Sequence, residues 1–446
     1  MKIVIAGAGD VGFHLAKLLS TEAHDIVLID VDEDLLEYVQ SHLDVLTVRG
    51  DAASIHTLIE ANIKKSDLLI AATSSENTNI VTAVIGKRMG VSKTIARVNK
   101  SEYLASKVID NFKEVGVDHL ISPKQLAANE IHRLISESAL TNFYQFESGK
   151  LYLVGISLDA DSPVIGQSVI DTAQLNPGFI FRPIAIQRGE KTLIPRGNTL
   201  FKPNDHIYFI TQNSGIEKIL KITGKEKIKV KKVMIVGGGS IGFMAARLLE
   251  HDYKVKLVEI DEEKCLDLAE DLKNTMIIQG DGSNVELLEE EGLAEMDAFI
   301  ALTGNSESNI ISCLVASGHK VYKVISLVEN TDLTNLAQRI GVDTIINRKL
   351  IAANSIFRYI RKGKVQDIAA LHGVNAEIIE FEVGDNALVT KKVIRELDFP
   401  KEALIGGVIR GNNSYIPMGE FQVMEGDKVV VFTMPEAINE VEKIFR

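Results

Sequence analysis

Two short stretches of this chain carry the residue types that bind phosphate. Residues 7–12 read Gly-Ala-Gly-Asp-Val-Gly and residues 237–242 read Gly-Gly-Gly-Ser-Ile-Gly. Each follows a short apolar run, Lys2–Ala6 or Lys232–Val236, and each opens a stretch with helical apolar spacing. In a strand–turn–helix unit the first glycine permits the tight turn. The second lets a pyrophosphate approach the backbone, and the third allows close helix–strand packing. The helix start then offers N–H groups and a partial positive charge to the phosphates. Gly7, Gly9 and Gly12 fit these roles, as do Gly237, Gly239 and Gly242. Ala8, Asp10, Val11, Gly238, Ser240 and Ile241 complete the two candidate loops. One such loop is unspecific; two of them 230 residues apart mark a duplicated nucleotide-binding unit.

The second strand of each unit strengthens this reading. Val27-Leu28-Ile29-Asp30 and Lys256-Leu257-Val258-Glu259 each end in a carboxylate, 18 residues after Gly12 and 17 after Gly242. A carboxylate there accepts hydrogen bonds from ribose hydroxyls and repels a 2′-phosphate, which favours NAD or a plain adenosine nucleotide over NADP. Asp51 and Asp281, each after a glycine, are candidates to reach an adenine amine, with a solvated turn as the competing reading. Thr73-Ser74 and Thr303-Gly304 end the fourth strand beside the crevice, where their hydroxyls line the site or cap the next helix. Arg97 faces Leu327 in the other copy, so only the first unit has a guanidinium there to fork onto phosphate oxygens. The first site is therefore expected to be the better phosphate binder, unless Arg348, which replaces Pro123, serves the second.

The elements that must hold these residues are legible as a repeat. Gly12–Leu19 matches Gly242–Leu249, Arg49–Ser54 matches Gln279–Asn284, and Ala127–Arg133 matches Ala352–Arg358. In the first half, β-rich runs at Lys2–Ala6, Asp25–Ile29, Val45–Arg49, Leu68–Ala72, Thr94–Val98 and His119–Ile121 alternate with helix-period stretches such as Val11–Leu19 and Asp34–His42. Unalternating Val, Ile and Leu suit parallel strands buried on both faces, and strand–helix alternation gives a doubly wound sheet. Each half then turns β-rich. Tyr152–Leu158, Ile180–Gln187 and His206–Thr211 have counterparts at Ala376–Val383, Ala403–Arg410 and Lys428–Thr433. Gln187-Arg188-Gly189-Glu190 and Arg410-Gly411-Asn412-Asn413 read as hairpin turns. The expected fold is α/β: two tandem Rossmann-like doubly wound parallel sheets, each followed by a small β-rich α+β lobe. The expected domains are 1–138, 139–224, 230–364 and 365–446, with the linker in Thr223–Lys232. The helices Pro123–Glu137 and Arg348–Lys362 either pack in their own core or act as arms that contact another lobe or subunit.

Composition narrows the partners. A chain of 446 residues exceeds one core, and a net charge of −12 argues against nucleic acid, which wants a clustered basic surface. Cys265 and Cys313 lack metal-ligand spacing, so two structural thiols in a reducing compartment, and no metal, are expected. The chain begins on a strand at Met1–Ala6, so no secretory signal is expected. No apolar run approaches the roughly 20 residues that cross a bilayer.

The paired modules, with Gly7–Gly12, Asp30, Gly50-Asp51, Thr73-Ser74 and Arg97, resemble the TrkA-type regulatory subunits of bacterial Trk potassium-uptake systems, which carry tandem regulator-of-potassium-conductance units. The resemblance covers nearly the whole chain. It implies binding of NAD(H), and of ATP or ADP, in the Rossmann lobes. It also implies a homo-oligomer, a tetrameric ring, on the inner face of a membrane potassium channel or transporter, hence a cytoplasmic, peripheral location.

An NAD-dependent oxidoreductase is the alternative. It needs a substrate domain with a proton-transfer residue aimed at the nicotinamide. The segments after each Rossmann unit read as small sheets, and no His–Asp or Tyr–Lys pair stands out. His14 faces Met244 in the other copy and reads as structural. A redox-sensing transcription factor would need a basic recognition helix, which neither terminus supplies. A sensor rather than an enzyme is expected.

Overall fold

The computed structural model describes residues 1–446 except 21–23, 174–177, 179, 190, 227, 331–332, 335, 338–339, 343, 361–364, 371–375 and 446. The chain forms two compact units. One comprises Met1–Ala127 with Arg348–Ile360, the other Ala128–Asn347 with Arg361–Arg446.

The first unit is built on a six-stranded parallel sheet. Its strands are β1 (Lys2–Ala6), β2 (Asp25–Asp30), β3 (Leu46–Arg49), β4 (Leu68–Ala71), β5 (Lys93–Arg97) and β6 (His119–Ile121), in the order β3-β2-β1-β4-β5-β6. Central strands made of Ile, Val, Leu and Ala have no polar face to show to water, so both faces are covered by helices. Beneath one face Val4, Ile29, Leu58, Ile63 and Leu69 form a single buried cluster. The strand order reverses between β1 and β4, which opens a crevice at their C-terminal ends. The helix Asp10–Ser20 starts there, its buried stripe of Val11, Leu15, Ala16 and Leu19 set by helical spacing. Asp32 caps the helix Glu33–His42 and Ser75 caps Glu76–Arg88.

The helix Arg348–Ile360 belongs to this first unit although its sequence lies in the second half. It packs on the helix Asp10–Ser20, so the arm alternative holds for this copy. The expected extension to Lys362 lies outside the described residues.

The second unit holds three sheets. Between β6 and the second glycine loop run β7 (Asn142–Phe146), β8 (Leu151–Ser157), β9 (Phe181–Arg188), β10 (Lys191–Leu193) and β11 (His206–Thr211), an antiparallel sheet in the order β10-β9-β11-β8-β7. β12 (Lys232–Val236), β13 (Lys254–Glu259), β14 (Thr275–Gln279), β15 (Ala298–Ala301), β16 (Lys323–Leu327) and β17 (Thr344–Ile346) repeat the parallel order as β14-β13-β12-β15-β16-β17. β18 (Val365–Ala370), β19 (Glu377–Glu382), β20 (Ala403–Arg410), β21 (Asn413–Tyr415) and β22 (Lys428–Thr433) form the last sheet.

The two antiparallel sheets share one core in which Phe146, Leu153, Tyr208 and Ile210 meet Ile378, Ile409, Val430 and Phe432. Gly407 on β20 permits this approach, because a Cβ there would stand 2.6 Å from Leu151 Cδ1. Each lobe also repeats one ion pair between a partly exposed arginine and a buried aspartate. Arg188 forks onto Asp205 at 2.7 Å through both nitrogens, and Arg410 onto Asp427 at 2.8 Å. Each pair raises the pKa of its guanidinium, chiefly through the hydrogen bond. The turn glycines Gly189 and Gly411 have φ of +60° and +58°, as two-residue hairpin loops demand; Glu190 lies outside the described residues.

Candidate functional site

The two glycine loops have matching geometry. Gly7 and Gly237 hold φ of +109° and +101°, and a Cβ on either would stand 2.9 Å or less from the backbone that ends β4 or β15. A Cβ on Gly12 or Gly242 would collide with the carbonyl oxygen of Gly7 or Gly237. These positions therefore fix the turn itself. Gly9 and Gly239 differ, because a Cβ on either meets nothing within 4 Å. They border open space where the helix begins, and a helix start of this kind can receive an anion. Val11 and Ile241 are buried and leave only their main chain to the loop, whereas Asp10 and Ser240 are exposed.

The strand-end carboxylates face the loops. Asp30 accepts from Ala8 N at 2.5 Å and Asp32 N at 3.0 Å. Glu259 accepts from Gly238 N at 2.7 Å and Asp261 N at 3.0 Å. Each acid thus tethers its glycine loop to the end of the second strand. A carboxylate has about four acceptor positions, so two remain beyond these bonds. Glu259 is longer and is buried, with 7% of its surface exposed.

Asp51 and Asp281 are exposed and close turns by accepting from Ala53 N at 2.9 Å and Ser283 N at 2.8 Å. Asp281 also accepts from the Ser283 hydroxyl, and these bonds hold its carboxyl below the ordinary range. Asp281 lines a cavity of about 350 Å³ with Gly237, Gly239, Glu259, Thr303 and Gly304. Lys264 is the cation among the described residues of that lining.

Thr73 and Thr303 turn out to be anchored by residues that sequence reasoning missed. Buried Asn79 accepts from Thr73 N at 2.8 Å and Thr73 Oγ1 at 2.7 Å, and donates to the carbonyls of Thr73 and Arg97 at 3.1 and 2.9 Å. Asn309 repeats all four bonds with Thr303 and Leu327. Each asparagine staples the ends of two neighbouring strands at the crevice. The signal was available: Asn79 and Asn309 are identical residues 230 positions apart, the repeat spacing itself. Ser74 is exposed, and the helix caps are Ser75 and Asn305 rather than Thr73 or Thr303.

Arg97 ends β5 at the crevice, while Leu327 at the matching place is buried. Arg97 has company. Burial, then Arg348, then Arg97 push the Lys124 ammonium below its ordinary value, with Glu76 opposing. Arg348 thus lies with Lys124 in the first unit, not at the second glycine loop. Its neighbour Lys349 sets Nζ 3.0 Å from Asp10 Oδ1, in the first loop. Burial, with Lys17 and Lys349 nearby, lowers the His14 pKa to about 4, so its ring is neutral near pH 7. Cys265 and Cys313 are buried free thiols. Among the described residues no cluster of three or more metal-ligating side chains occurs, and no helix is long and apolar enough to cross a membrane.

Comparison with known proteins agrees with this duplicated plan. The TrkA-N domain matches residues 3–123 and 233–348, and the TrkA-C domain matches 153–224 and 378–446. The Trk system potassium uptake protein TrkA of Halomonas elongata is 33% identical over 451 residues, covering 100% of this chain and 99% of that one. TrkA homolog 1 of Methanosarcina mazei is 31% identical over 455 residues and covered in full, as is this chain. Among solved structures, the GsuK RCK domain superposes with a TM-score of 0.63 at 15% identity, over 100% of this chain and 94% of that one. The GsuK channel bound to NAD gives 0.63 at 15% identity, over 100% and 78%. The fold is that of tandem RCK units, and the chain belongs to the TrkA family of Trk-system potassium uptake proteins.

Proposed function

We propose that this protein is a non-enzymatic regulatory subunit that senses NAD(H) and ATP or ADP and gates a Trk-type membrane potassium channel or transporter. The observation that carries the reading is the pair of glycine loops, each open beside its second glycine and each tied to a strand-end carboxylate. A nucleotide in either crevice would set its phosphates on the loop N–H groups and its ribose against Asp30 or Glu259. Asp51, Asp281, Thr73, Ser74 and Thr303 would line the remaining wall. GsuK structures bound to NAD and to ADP support the ligand class at the level of the fold.

The sites are unequal in charge. Arg97 ends β5 at the first crevice, with Lys124 and Arg348 acting electrostatically beside it, whereas Leu327 leaves the second without a guanidinium at that place. The first site is the better home for phosphate-rich ligands. A ligand shifts the arrangement of the lobes only by the difference in its affinity for the two states, so phosphate number and nicotinamide redox state become the regulatory variables. The protein would act as a homo-oligomer, a tetrameric ring, on the cytoplasmic face of the membrane, its four lobes dividing near 138, 224–230 and 364.

Potassium flux through the partner, reconstituted with this protein, tests the reading. ATP and NADH should change flux, and Gly9→Leu with Gly239→Leu should abolish the change by filling the open space beside both loops. Nucleotide binding with unaltered flux would defeat the sensor mechanism. Stoichiometric oxidation of NADH with a small substrate would point to an enzyme instead.

A further inference from the structure

We infer that the second Rossmann sheet carries, at the end opposite its glycine loop, a binding site for an aliphatic ammonium compound, with Glu250 as the residue that takes the ammonium. The glycine loop follows the C-terminal end of β12, whereas Lys232, Lys254 and Lys256 lie toward the N-terminal ends of β12 and β13. A cavity of about 760 Å³ opens at this end, walled by those lysines together with Glu250, Met276 and Glu290. That volume suits a small organic molecule, and a bare ion would fill little of it. The proposed nucleotide site lies at the other end of the sheet, so the two can be tested apart.

Glu250 follows the helix Ser240–Leu249 at its C-terminal end and keeps only 7% of its surface exposed. An acid there opposes the helix dipole. One of its carboxylate oxygens accepts from Asn274 N at 2.9 Å and Thr275 Oγ1 at 3.1 Å. No cation pairs with Glu250 among the described residues, although three lysines line the same cavity. Two of them are committed elsewhere, Lys232 to Glu295 at 2.8 Å and Lys256 to Glu291 at 3.0 Å. Lys254 and Glu290 are exposed and have no ion-pair partner among the described residues. The open charges are therefore two carboxylates, Glu250 and Glu290, against one ammonium, Lys254. A buried carboxylate without a counter-charge costs free energy, which a ligand of net positive charge recovers. Met276, 54% exposed, and Met296 offer thioether chains on which methylene groups can pack. The arrangement belongs to the second copy alone: at the places of Glu250, Lys256 and Glu291 the first has Ser20, Val27 and Ala61. Polyamines and basic amino acids both carry an ammonium on an aliphatic chain.

The test is calorimetric titration of the full chain with putrescine and with L-lysine, in about 0.15 M KCl to screen the net charge of −12. One amine should bind per chain. Glu250→Gln keeps an acceptor for Asn274 N and should weaken that binding about tenfold or more. Glu270→Gln, at an exposed acid outside the cavity, should change it by less than about twofold. Met276→Arg, at an exposed position, sets a guanidinium in the cavity and should block binding, which keeps the test decisive if Glu250→Gln does not fold. Putrescine binding tighter than L-lysine, with the advantage lost in Glu290→Gln, would identify a polyamine as the ligand. L-lysine binding tighter, with the advantage lost in Lys254→Gln, would identify a basic amino acid. Binding unchanged in Glu250→Gln or Met276→Arg, equal losses in Glu250→Gln and Glu270→Gln, or no binding of either amine would overturn the site.

Discussion

The Lys349 ammonium and the Asp10 carboxylate, 339 positions apart in the sequence, stand 3.0 Å from each other at the mouth of the first glycine loop. Asp10 is two-thirds exposed, and such pairs contribute about 0–1 kcal/mol to folding. On the proposed nucleotide-binding reading its importance is electrostatic and local: it offsets a negative charge where phosphate would sit. Lys349→Gln should accordingly leave thermal stability within about 2 °C of the parent. A drop of 10 °C would make the contact a structural strut instead.

The glycines of one loop should behave differently under the same substitution. Gly12→Ala drives a methyl group into the Gly7 carbonyl and should cost about 3 kcal/mol or more, seen as a large fall in melting temperature. Gly9→Ala places its methyl in open space, so the protein should melt normally but bind nucleotides more weakly. Normal melting in both variants would show that the loop is not packed as described.

Asp30 should govern the choice of cofactor. Asp30→Ala removes the proposed ribose acceptor and the tether to Ala8 N, so NADH affinity should fall about tenfold or more in a fluorescence titration. NADPH should suffer less, because the charge that repels a 2′-phosphate is gone. A larger loss for NADPH than for NADH would contradict this assignment.

Asn79→Ala strips partners from the half-buried N–H and carbonyl of Thr73 and from the Arg97 carbonyl. An unsatisfied buried group costs about 1–3 kcal/mol, and these half-buried groups sit at the low end, so the first unit should lose about 1–2 kcal/mol overall. Asn309→Ala should do the same to the second Rossmann sheet. Hydrogen exchange at the ends of β4, β5, β15 and β16 would report it. Unchanged protection there would mean the staples are dispensable.

His14 gives the first unit a pH signature. Its folded pKa, about 4, lies below the ordinary 6.5, so the unfolded chain binds the proton more readily. The stability from His14 is fully present above about pH 6.5 and is lost as pH falls toward 4. His14→Gln should flatten this part of the stability–pH curve, measured by denaturant unfolding at fixed pH values. An unchanged slope would mean the ring titrates normally.

Much of this was legible in the sequence, for physical reasons. Apolar runs buried on both faces have no alternative to a parallel sheet, so all six strands of the first unit were placed to within a residue or so. Gly7, Gly12, Gly237 and Gly242 announce steric constraints that no other residue meets. The strands β7, β10, β18 and β21 were missed because edge strands carry little apolar pattern of their own. The place of Arg348 was not legible either. Helical spacing shows that a helix has an apolar stripe, not which body the helix joins, and here the helix lies against Asp10–Ser20. Asn79 was passed over because a buried amide looks like any helix-surface polar residue until its bonds to two strand ends are seen.

The most direct test of two unequal nucleotide sites is calorimetric titration of the full chain with ATP, repeated with Gly9→Leu and with Gly239→Leu. The expected result is two classes of site per chain, the tighter lost in Gly9→Leu and the weaker in Gly239→Leu, with Arg97→Ala weakening only the tighter. A single class of equivalent sites, or a tighter site that survives Gly9→Leu, would contradict it.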